Sequence, residues 1–115
     1  MENKKEEVLN RLDLAIKYQE IAAICKSEEI MNKLKIEEIQ KYLKNLSEIQ
    51  QILIRDNNQL DEENSKNFMS LDKRFLAFGY NKYEETKQEI IKKIGHIQQL
   101  TNILLNVRIR NKYSC

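Results

Sequence analysis

Eight positions, Ile36, Ile39, Leu43, Leu46, Gln50, Leu53, Asn57 and Leu60, follow one another at alternating steps of three and four. Such a run puts all eight side chains along one helical seam, because a strand would need a period of two. Ile49 and Ile52 widen the seam. Gln50 and Asn57 place amides where an apolar residue would sit, a device that fixes register in coiled coils at a cost in stability. A chain built around this segment has to find apolar partners for a long helix.

Composition supports the same reading along the rest of the 115 residues. Proline is absent and there are only two glycines, so the chain lacks the residues that most often interrupt helices or form tight turns. The fold class expected is all-α, an antiparallel helical bundle or extended helical hairpin of three to four helices in a single domain. Helices are expected at about 3–25, 28–58, 66–78 and 82–110. The first carries two apolar stripes, Val8, Leu12, Ala15 and Ala22 on one and Leu14, Tyr18, Ile21 and Cys25 on the other, so it should meet more than one neighbour. Ser27 can cap a new start, with Glu28 and Glu29 at the positive end of the helix dipole. The Asn-, Asp- and Ser-rich stretch "RDNNQLDEENSKN" reads as a loop. Phe68, Leu71, Phe75 and Phe78 share a face of a short third helix, and "KRFLAFGYNKY" reads as the corner where Gly79 turns the chain, with Tyr80 and Tyr83 beside it.

Little in the sequence points to catalysis. His96 has no nucleophile or carboxylate partner at a recognisable spacing, and two glycines sixteen residues apart build no phosphate loop. Pairs such as Glu37-Glu38 and Glu84-Glu85 read as solvated helix faces, without the Glu-x-x-His spacing of di-metal bundles. Cys25 reads as a structural thiol, and Cys25 with Cys115 makes neither a disulfide scaffold nor a zinc site. No catalytic residue, metal or cofactor is expected. The amino-terminal "MENKKEEV" lacks the apolar stretch of a secretory signal, and the longest apolar run, "IAAIC", is far short of a membrane span. A soluble cytoplasmic protein, with no membrane partner, is the expectation.

Charge is unevenly placed. Residues 1–65 hold ten basic and fourteen acidic side chains, and residues 66–115 hold ten basic and four acidic, net −4 and +6. After Glu89 no acidic residue follows, against Lys92, Lys93, Arg108, Arg110 and Lys112. Nucleic-acid binding through that basic end is an alternative, but cations there also answer the helix dipole.

Binding to a protein explains more. The last helix is apolar over more than half its circumference, and Ile97, Leu100, Leu104 and Val107, with Arg108 at the rim, are the expected face for a partner's amphipathic helix. The structural alternative is self-association through the seam Ile36, Ile39, Leu43, Leu46, Leu53 and Leu60, with Asn57 selecting register.

The stretch "LDLAIKYQEIAAICKSEEIMNKLKIEEIQKYLKNLSEIQQIL", followed by "LDEEN" and a helical carboxyl region, resembles the small export chaperones of bacterial flagellar type III secretion, the FlgN and FliT kind. The resemblance covers about the first two thirds of the chain. It implies a non-enzymatic cytoplasmic protein that holds a secreted subunit's amphipathic helix, with Ile97, Leu100, Leu104 and Val107 as the holding face. The chain is short for the FlgN kind, and the aromatic segment around Gly79 has no counterpart in either.

Overall fold

A computed structural model describes the backbone over residues 2–68 and 73–113 and the side chains over 11–65 and 82–113. The described chain is all-α: α1 (Glu2–Ile24), α2 (Glu28–Asn32), α3 (Ile36–Phe68) and α4 (Lys73–Tyr113). The long helices α3 and α4 pack against each other. Only four residues separate their ends, so they run antiparallel.

Local chemistry explains the two breaks near the start of the chain. Helix α1 closes with a tightened turn in which Lys26 N donates to Ala23 O and Ser27 N to Ile24 O. Ser27 then caps α2 from extended backbone, its hydroxyl accepting from Ile30 N at 3.3 Å, as its sequence position suggested. After one and a half turns the chain breaks again. Lys35 precedes α3, and Glu38 reaches back to accept its backbone N–H at 3.1 Å, half of a capping box. The expected helix 28–58 is therefore two helices.

Two expected interruptions are helical instead. The stretch read as a loop lies within α3, which runs unbroken to Phe68. Asn, Asp and Ser lower helix propensity by only a few tenths of a kcal/mol each, and the seam residues Leu53 and Leu60 keep one side of this segment half-buried. The separate third helix is also absent: residues 66–68 end α3 and 73–78 open α4, whose backbone continues helical through Gly79. No described residue has positive φ, so Gly79 does not turn the chain. The packing expected for Phe68, Phe75, Phe78 and Tyr80, like any role for Cys115, lies outside the described side chains.

The chain divides into two compact units. The first comprises Met1–Ile49 and Ile97–Cys115, and the second Gln50–His96. Among the described side chains, every buried apolar residue belongs to the first: Ile21 of α1, Met31 of α2, Leu34 of the link, Ile39 and Leu46 of α3, and Ile97, Leu100, Leu104 and Val107 of α4. Asn111 ties this core to its irregular rim, its amide donating to Met31 O at 3.0 Å and Leu34 O at 2.9 Å. Those carbonyls lie at the end of α2, where helical partners run out. In the second unit the apolar seam residues Leu53, Leu60, Ile90 and Ile94 are half-buried, and no described side chain is fully buried.

Candidate functional site

The expected partner face on α4 lies inside the protein. Ile97 and Leu104 are completely buried, Leu100 and Val107 nearly so, and Arg108 at their border is half-buried. The periodicity had grouped the four on one face, and that face is buried in the first unit. It is not open to a partner in this conformation. The α3 seam is likewise used within the chain: Ile39 and Leu46 are completely buried, and Ile36, Leu43, Leu53 and Leu60 are half-buried. Asn57 turns inward too, its Oδ1 buried with no hydrogen-bond partner, and Asn45 Nδ2 is in the same state.

What remains outside is a stripe on α1. Its inner side sets Ile21 in the core with Leu14, Tyr18 and Cys25 half-buried around it. Burial raises the pKa of the Tyr18 hydroxyl and the Cys25 thiol, which keeps both neutral and makes Cys25 a poor nucleophile near pH 7. The outer side carries Leu12, Ala15, Ile16, Gln19 and Ala23, all exposed, with Leu12 at 58% and Ile16 at 56%. Leu12, Gln19 and Ala23 recur at steps of seven and four, so these residues form one continuous ridge. Asp13 and Glu20 border it. Glu20 is close enough to α3 that, after desolvation and the field of Glu38, its charge also raises the Tyr42 hydroxyl.

A second stripe lies at the end of α4. Leu105 is half-buried there, and Ile109 and Tyr113 are exposed, Tyr113 at 77%. Lys112 lies 5.9 Å from the Tyr113 ring centre, within cation–π range. Of the basic residues considered for nucleic acid, Arg110 is engaged by Glu28 at 3.7 Å.

In the second unit the polar cluster of Asp61, Tyr83 and Lys87 joins α3 to α4. The Tyr83 hydroxyl donates to Asp61 Oδ1, and Lys87 Nζ donates to the same oxygen at 2.9 Å and to Tyr83 Oη at 3.1 Å. The Tyr83 bond first, then the Lys87 bond, holds the Asp61 carboxyl below its ordinary range, and the Asp61 bond raises Lys87. Both stay charged throughout neutral pH, so neither is placed to exchange a proton there. The cluster works as a clip between helices. The sequence reading passed over it because Asp61 and Lys87 stand 26 residues apart, and nothing in helical spacing joins them.

Among the described residues no group of His, Cys, Asp and Glu could hold a metal ion, and no helix is long and apolar enough to cross a membrane. His96 is half-buried and engaged by neighbours. Comparison of the chain with protein-family models, curated proteins and solved structures gives no match.

Proposed function

We propose that the chain is a non-enzymatic helical protein-binding module whose docking surface is the outer stripe of α1. The observation that carries this reading is the two-sidedness of α1: one apolar stripe is consumed by the core while Leu12, Ala15 and Ile16 stay in water. A ridge of this shape suits an amphipathic helix laid along it, apolar area supplying affinity and border charges setting partner choice. If the resemblance to export chaperones holds, the helix would come from a secreted subunit kept in the cytoplasm until export.

The tagged chain, recovered gently from its native cells and analysed by mass spectrometry, tests this. Replacing Leu12 and Ile16 with Ser should abolish recovery of a specific partner while leaving the melting temperature within a few degrees of wild type. Recovery of the same partner at the same yield by that variant would remove α1 from the account. Replacing Leu100 and Leu104 with Ser should instead unfold the first unit.

A further inference from the structure

We infer that the helix seated on the α1 stripe is the carboxyl-terminal end of α4 from a second copy of this chain, and that the exchange is reciprocal. The inference rests on the reading of α1 as a docking surface and names its occupant. Both stripes belong to the first unit, and both are apolar ridges one to three turns long: Leu12, Ala15 and Ile16 on α1, and Leu105, Ile109 and Tyr113 on α4. The pairs Leu12/Ile16 and Ile109/Tyr113 have the same i, i+4 spacing, so ridges of one helix match grooves of the other.

Charge selects this pairing over a stripe meeting its own copy. The α1 ridge is bordered on one side by Asp13 and Glu20 and on the other by Arg11, which already has a partner, and the α4 ridge is bordered by Arg108 and Lys112. None of Asp13, Glu20, Arg108 and Lys112 joins an ion pair among the described residues, where the pairs are Lys33–Glu29, Lys87–Asp61 and Arg110–Glu28. An antiparallel pair of α1 stripes would bring Asp13 and Glu20 of both copies together, and a pair of α4 stripes would do the same for Arg108 and Lys112. Only α1 against α4 sets carboxylate against cation. One such helix pair is small beside the roughly 1,000 Å² that a specific interface needs, and a two-fold dimer doubles it by using both stripes of both copies.

Analytical ultracentrifugation over a range of concentrations tests the inference, with charge reversals as the diagnostic. Wild type should be a dimer that dissociates more readily at high salt. The variant D13K/E20K and the variant R108E/K112E should each dimerise at least about a hundredfold more weakly, because each sets like charges together. Mixed in equal amounts, the two should form a heterodimer, since every acidic ridge then meets a basic one. A wild-type monomer at high concentration would overturn the second-copy inference, as would a dimer indifferent to both reversals. If wild type is monomeric and the Leu12→Ser, Ile16→Ser variant still loses a different partner, the docking reading stands with another occupant. If a wild-type dimer persists unchanged in that variant, the docking reading itself fails.

Discussion

The two units hold their helices together by different means. Among the described side chains, the first has nine buried apolar residues drawn from all four helices and the link before α3, and its irregular rim is closed by Asn111. The second has half-buried Leu and Ile along its helices and the clip of Asp61, Tyr83 and Lys87. Apolar burial is worth about 1.5–3 kcal/mol for each large side chain fully removed from water, whereas partly exposed ion pairs contribute little. Stability should therefore concentrate in the first unit. The uncovered stripes of α1 and α4 also lie there, on the part of the molecule best able to hold a docking surface in fixed geometry.

The largest effect expected from this contrast is a cavity. Leu104→Ala should cost about 3 kcal/mol by urea denaturation, while Leu53→Ala, at a half-buried seam position of the second unit, should cost about 1. Equal losses at the two sites would erase the distinction. The second unit should also respond favourably where its packing is imperfect. Asn57→Leu removes a buried oxygen without a partner and continues the seam, so it should stabilise by about 1 kcal/mol. A loss of stability there would mean that Asn57 is satisfied in solution.

Gly95 gives a smaller gain of the same sign. It sits within α4 at negative φ, and a Cβ built there meets nothing within 4 Å. Gly95→Ala should raise stability by about 0.5–1 kcal/mol through helix propensity, read as a higher melting temperature. The clip is the smallest contributor. The Asp61 pKa is lower when folded than its ordinary 3.8, so its stabilisation is present above that value and lost as pH falls through the folded pKa. The melting temperatures of wild type and Asp61→Asn should differ at pH 7 and converge as the pH falls through the folded pKa of Asp61. The Lys87 pKa is raised, so its share is complete below 10.5 and declines only above it. A difference that does not shrink on acidification below 3.8 would show that Asp61 acts through something other than its charge.

Much of the architecture could be read from residues alone, and the misreadings have identifiable causes. Freedom from proline and the heptad seam led to the all-α class, and Ser27 with Glu28 and Glu29 marked the first break. The second break hid behind Lys35, which carries no capping side chain; Glu38 three residues on, aimed back at Lys35 N, was its only local sign. The apparent loop after Arg55 failed as an expectation because modest propensity costs yield to tertiary packing, and Leu53 and Leu60 kept the seam in phase through it. For α4, periodicity identified which residues share a face, but not whether that face meets the protein's own helices or a partner. Only their burial in the folded first unit settles that Ile97, Leu100, Leu104 and Val107 are core. Of the α1 stripe expected from sequence, Leu12 and Ala15 lie on the exposed ridge, Ala22 is half-buried, and Ile16, Gln19 and Ala23 join the ridge without having been singled out.

Amide hydrogen exchange read residue by residue tests the central contrast most directly. Amides of 39–46 and 97–107 should exchange by the rarest openings of the molecule, and those of 53–63 and 83–94 at least tenfold faster, because local protection follows buried apolar contact. Indistinguishable protection in the two sets, or slower exchange around Asp61 and Lys87, would contradict the account.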